Sequence, residues 1–329
     1  MQRNDAEWAI PATAFVAVQF AIGLVVSRAV GYAPVPPILN YLETASVFAA
    51  LTAIFFLFRH IFRMWRQGVE SPLAALGVDI SRSRYAILFA GLGFALASLQ
   101  IGALTWLKSM LPLVVPFWAD PYLASVDRAL FGTDPWRIVH PLPPDLHSLV
   151  DGTYLLWFPI KSLGLICVLA LSPSPVKSRA MLAYFITIGL FGVLGQYLLS
   201  SAGPIFYHLI GFGNDFRDLP ASSAALATRD YLWSVYQTRH SAFGGGISAM
   251  PSIHVAGAAW LALTCQSLWK PLAIFGWAFY ALIFFGSVYL GWHYVSDGVV
   301  GTLCALAAWK ISDLVLARKK AEVHRVSPA

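Results

Sequence analysis

The chain has 329 residues, of which 58% are hydrophobic and only 12% charged, with a mean hydropathy of +0.67. A soluble domain carries about twice that share of charge, so an ordinary water-soluble fold is excluded and the length divides into helical spans of about 20 residues. The net charge of +6 follows from basic loops facing an anionic leaflet and does not argue for a nucleic-acid partner.

Apolar runs predict an all-α, polytopic bundle in the bilayer with about eight spans, at 9–29, 38–58, 85–107, 150–171, 181–202, 252–269, 271–290 and 294–316. The first run lacks a small-residue cleavage site and is long enough to cross, so it is read as a retained span rather than a signal peptide. Residues 1–84 hold the first two spans and a basic loop with Arg59, Arg63, Arg66, Arg82 and Arg84. Lys177 and Arg179, then Lys270, then Arg318, Lys319, Lys320 and Arg325 in the tail 318–329, fall on the same side. The positive-inside rule makes that side cytoplasmic, with both termini there, in a multi-pass protein of the cell membrane.

Two long loops face the other side. In 108–149, Tyr122, Leu123, Val126, Leu130 and Phe131 recur at helical spacing between Asp-Pro turns, which predicts a short amphipathic helix on the interface. The loop 203–251 begins GPIFY and ends GGGISAMPS; it is long enough for a lid, and a passive connector is the plain alternative. Cys167, Cys265 and Cys304 lie in apolar runs without paired spacing, so they indicate neither a disulfide framework nor a zinc motif. Glu43 and Lys161 are costly inside spans; pairing with each other or snorkelling are the structural readings, a proton pathway the functional one.

The remaining polar groups concentrate in AMPSIHVAGA, with His254, and SVYLGWHYVSDGVVG, with His293 and Asp297. The topology places all three on the outer, extracytoplasmic face, and ionisable groups at a membrane boundary default to function. His293 and Asp297 stand four apart, so on a helix the carboxylate orients the imidazole and leaves one nitrogen as a nucleophile or base. His254 follows Pro251 and Ser252 at a helix start, where free N–H groups favour an anion. An anion between one nucleophilic and one acidic imidazole suits phosphoryl transfer on a lipid phosphate.

These residues resemble the type 2 phosphatidic acid phosphatase superfamily, the membrane relatives of vanadium haloperoxidases. Its P-S-G-H motif matches Pro251, Ser252, Ile253 and His254 with Ile for Gly, and its S-R-x5-H-x3-D motif matches His293 and Asp297. The resemblance implies a six-helix core over 85–317, His293 as nucleophile through a phosphohistidine, Asp297 as its orienting partner, His254 as general acid, and no metal or other cofactor. The family's K-x6-R-P motif is absent and Ser287 stands where its third motif has Arg, so the usual phosphate clamp is missing. In this the chain is similar to the inositol phosphorylceramide synthase branch, as it is in GPIFY, in the run from Asp120 to Trp136, and in Asp151, Tyr154 and Trp157. That implies transfer of a phosphodiester headgroup to a lipid hydroxyl, alongside the hydrolytic alternative.

A phosphodiester carries one negative charge and needs less compensation than a monoester. Expected phosphate or substrate contacts are Ser252, Arg239, Gly203, Pro204, Tyr207 and Ser287, with His240, Arg217 and the backbone of Gly244–Gly246 as further donors. Two competing readings are a transporter, for which neither a repeat nor midplane helix breaks are seen, and a zinc site on His254, His293 and Asp297.

Overall fold

The computed structural model describes residues 2–141 and 145–326; the side chains of residues 2–4, 145 and 318–326 are not described. The described chain is helical throughout. In order the helices are α1 (Gln2–Ala29), α2 (Ile38–Arg66), α3 (Pro72–Arg82), α4 (Arg84–Val114), α5 (Asp120–Phe131), α6 (Pro135–Val139) and α7 (Asp145–Leu155). They continue with α8 (Trp157–Ala170), α9 (Pro175–Phe185), α10 (Gly192–Leu198), α11 (Ser223–Gln237), α12 (Ile253–Leu268), α13 (Lys270–Tyr289) and α14 (Val295–Val326).

Among the described residues, seven segments are long and apolar enough to cross a membrane, against about eight predicted: Asp5–Ala29, Ile38–Arg66, Arg84–Val114, Leu146–Ala170, Pro175–Leu198, Lys270–Tyr289 and Val295–Ala317. The eighth, α12, has only 16 residues, about 24 Å at 1.5 Å per residue, which is less than the ~30 Å of hydrocarbon. It is short because Ser252 starts it late: the side chain accepts the Val255 N–H as an N-cap, and the glycine stretch before it is turn and irregular chain. The third span, predicted to end at residue 107, runs on to Val114 and so takes Lys108 inside a helix. At the other end of the chain, α14 continues as helix to Val326, and residues 327–329 of the predicted tail lie outside the described residues.

Between α9 and α10 one stretch, Ile186–Phe191, is π-helical. Widening a helix frees a carbonyl, which is expensive where no water can reach it. Here Gln100 of α4 donates to Phe185 O (2.9 Å), and Gln19 of α1 donates to Gln100 O (3.4 Å). Gly189 permits the approach, since a Cβ there would lie 2.4 Å from Gln100 Nε2. A second polar tie joins α1 to α9, where Lys177 pairs with Asp5 (3.1 Å) and Trp8 donates to the same carboxylate (3.0 Å). The first two helices thus pack on the others: α1 lies against α4 and α9, and α2 lies against α4 and α8.

The amphipathic helix predicted near 118–136 is present as α5. Leu123 and Ala124 face inward together with Asp120 and Asp127, while Tyr122, Leu130 and Phe131 are exposed. The carboxylates win the inner face because backbone N–H groups wait there for them. No ion pair joins Glu43 to Lys161 among the described residues: Glu43 is exposed on α2, whereas Lys161 is buried.

Candidate active site

The turn between α13 and α14 carries His293, and the first turn of α14 carries Asp297. A new helix leaves its first N–H groups without partners. Asp297 reaches back to the Tyr294 N–H (2.9 Å), while Asp127 from α5 accepts those of Val295 (2.6 Å) and Ser296 (3.1 Å). Asp120 accepts the N–H groups of Ala202 and Gly203, both at 2.8 Å, and the Tyr294 hydroxyl at 3.0 Å. One interfacial helix therefore braces both sides of the His293 turn. Burial pushes the Asp120 carboxyl up from 3.8 to about 6, against the three donors that favour its ionised form.

That shift has a sign. Folded Asp120 keeps its proton to about pH 6 and an unfolded one only to about 4, so its contribution is fully present below pH ~4 and lost as pH rises through ~6. Relative to the Asp120→Asn variant, wild-type stability in detergent is expected to fall between pH 4 and pH 7 by up to about 3 kcal/mol. Parallel pH profiles of the two proteins would assign the titration elsewhere.

His293 is 5% exposed and Asp297 fully buried, with His293 Nδ1 and Asp297 Oδ2 3.5 Å apart. This is an ion-pair separation one step longer than a hydrogen bond, and such contacts tighten when substrate arrives. The His293 N–H donates to Ser287 O (3.1 Å). The ring of His254 lies 5.9 Å from that of His293, centroid to centroid. Two contacts fix the motifs against each other: Ser252 N–H donates to Asp297 O (3.1 Å), and Gly301 lets α14 cross so closely that a Cβ would lie 2.5 Å from Ser252 O. From α8, Trp157 Nε1 donates to His254 O (2.7 Å), and its ring sits 4.3 Å from the imidazole; Tyr154 of α7 stacks on it at 5.1 Å. Neither ring nitrogen of His254 is engaged by another described residue.

Both imidazoles open onto a cavity of about 380 Å³. Its roof is the loop 203–251: α11 contributes Thr228, Tyr231 and Leu232, and the Gly244–Gly246 backbone contributes the edge. Tyr41 of α2 ties this roof down by accepting the Gly244 N–H (3.0 Å) and sharing a hydrogen bond with Thr105 of α4 (2.6 Å). Asp151 lines the cavity and is held by the Ser222 hydroxyl, which also caps α11.

The predicted contacts divide. Gly244–Gly246 line the cavity; Ser252, Arg239, Gly203, Pro204, Tyr207, Ser287, His240 and Arg217 do not. Ser252 is the cap of α12, and the Ser287 side chain turns back to Phe284 O. Gly203 (φ +100) lets GPIFY press on the catalytic turn, where a Cβ would meet Trp292 O at 2.5 Å, and Ile205 N–H donates to Gly291 O (2.8 Å). Tyr207 packs against Phe212 and Phe216, while Arg239 is exposed past the end of α11 with φ +50.

The cations that do line the cavity are Lys108 of α4 and Lys161 of α8. Among the described residues no carboxylate pairs with either. Lys108 was not among the sequence candidates because the third span was ended at residue 107, just before it; its signal was the apolar run that continues past it to Val114. Among the described residues no group of three or more His, Cys, Asp or Glu side chains stands close enough together to hold a metal ion.

The family model described as the PAP2 superfamily matches residues 121–311, more than half of the chain. A protein named phosphoinositol dihydroceramide synthase, from Bacteroides thetaiotaomicron, is 26% identical over 162 residues, covering 47% of this chain and 52% of that protein. The chain thus spans about half the length of the curated relative it matches. No solved structure matches.

Proposed function

Since the chain belongs to the PAP2 superfamily, we propose that it is a membrane enzyme that transfers the phosphate-bearing headgroup of a lipid through a phosphohistidine, using His293, Asp297 and His254. The observation that carries this reading is the pairing of His293 Nδ1 with buried Asp297 at 3.5 Å, with the His254 ring 5.9 Å away across one cavity. Asp297 keeps the proton on Nδ1, so Nε2 presents its lone pair. Nε2 attacks phosphorus, the bond from phosphorus to the leaving oxygen breaks, and His254 gives that oxygen a proton. An incoming hydroxyl then loses its proton to His254 and attacks phosphorus, and the P–N bond breaks to restore His293.

Lys108, the Gly244–Gly246 backbone and the start of α12 stand where a phosphate needs positive charge and N–H donors, in place of the missing arginine clamp. Lys108→Ala is expected to lower kcat/KM by about 10- to 100-fold, the worth of a charge-assisted contact. Unchanged kinetics would remove Lys108 from the phosphate site.

Transfer is favoured over hydrolysis by the name of the relative and by the largely apolar lining of the cavity at His293, which suits a lipid acceptor. The basic loops support both termini on the cytoplasmic side of the cell membrane and the site on the extracytoplasmic face. Incubating purified protein with headgroup-labelled phospholipids, with and without ceramide or diacylglycerol, tests the reading. A new labelled lipid is expected; label released only to water makes the enzyme a phosphatase or phospholipase, and label that never moves overturns the proposal.

A further inference from the structure

The cavity has a lower end that the phosphate chemistry does not use. Tyr41, Ile101, Phe158 and Lys161 belong both to the cavity wall and to a narrow crevice that continues between α2, α4 and α8. Ala45, Phe94, Ala97, Leu165 and Tyr184 line the crevice, an apolar surface in helices long enough to span the bilayer. At the neck stands Lys161, 3% exposed. Its ammonium lies 5.1, 5.0 and 6.0 Å from the ring centroids of Trp157, Phe158 and Tyr184, with no acid beside it.

An ammonium at this depth is costly without a partner, and ring faces offset only part of the loss of water. Its height along the helix identifies the missing partner. Trp157 touches His254, and Lys161 is one turn further into the bundle, about 6 Å at 1.5 Å per residue. Lys108 lies at the other level, beneath the glycine roof, where a Cβ on Gly246 would come within 2.9 Å of Lys108 Cγ. A lipid whose phosphate sits between the two histidines has its ester or amide carbonyls about one helical turn below, with a hydrocarbon chain continuing from them.

We propose that Lys161 is a subsite for the backbone carbonyl oxygens of the lipid substrate. This rests on the lipid-phosphate reading above and adds a selection for lipids with ester or amide linkages over ether lipids. The second helix of the chain, which carries Tyr41, becomes one wall of the substrate site.

The test is binding rather than turnover. Diacyl and dialkyl phosphatidic acid, identical but for the two carbonyls, are titrated by native mass spectrometry into a His293→Gln protein, which does not consume them. The diacyl lipid is expected to bind about tenfold or more tightly, as a hydrogen bond from a charged donor allows. Adding Lys161→Met should bring the diacyl lipid to the dialkyl level and leave the dialkyl lipid unchanged, and Lys161→Arg should keep the preference. Equal binding of the two lipids by the Lys161 protein overturns the subsite even if the methionine variant fails to fold. If methionine weakens both lipids alike while arginine restores both, Lys161 holds the phosphate instead and the proposal fails. Loss of enzymatic transfer in the parent protein would defeat the proposed reaction while a measured ester preference would stand.

Discussion

His293→Ala is expected to reduce headgroup release by about 10⁴-fold or more, because removing a nucleophile removes the covalent path and leaves only binding and electrostatic catalysis. The variant should still insert and purify, since the His293 side chain contributes to the site rather than to a core cluster and contacts Asp297 alone as an ionic partner. Its loss does leave Asp297 buried with the Tyr294 N–H as its one hydrogen-bond donor. His293→Gln, which keeps a polar group there, guards against a folding defect. Rapid quench with labelled substrate measures the same step directly: wild type should accumulate acid-labile, base-stable label on protein, and neither variant should. Full activity in both variants would end the phosphohistidine mechanism.

His254→Ala is expected to slow transfer by about 10²- to 10⁴-fold with a natural lipid, the usual contribution of a general acid. The size of the defect should depend on the leaving group. With a nitrophenyl phosphodiester, whose departing oxygen needs no proton, the loss should shrink to about tenfold or less. His254 lies against Trp157 and Tyr154, so both packing and the proton are removed together. His254→Asn keeps a polar side chain between those rings and separates the two effects. Equal losses with both substrates would make His254 a binding group and leave protonation to another residue, for which Lys108 is the nearest in chemistry.

Much of this site is legible from short-range spacing. His293 stands in the turn two residues before α14 and Asp297 in its first turn, so the expected helical pairing is made by the chemistry of a helix end instead, and His254 follows a serine cap as its sequence suggests. GPIFY stood out as well, and in the structure Gly203 brings it against Trp292 and Ile205 donates to Gly291 O, while neither Gly203 nor Pro204 lines the cavity shared by the two imidazoles. Arg239 was expected at the phosphate, yet the left-handed turn after α11 leaves it exposed. Asp120 and Asp127 stood out only as part of the run from Asp120 to Trp136, without a task, because the N–H groups they accept belong to residues 82 to 169 positions away.

By itself, then, the sequence determined the membrane and the helical class, and it pointed to the two imidazoles and the carboxylate proposed for the site. Short motifs at helix ends need no tertiary information to be noticed, and the apolar runs are long enough to dictate their solvent. Only the tertiary structure decided what surrounds them. Lys108 and Lys161 come from different helices, Tyr41 from a third, and the two bracing aspartates from α5. Which faces of distant helices meet is set by packing and by the need of buried N–H groups for acceptors, and neither is written in the spacing of any one segment.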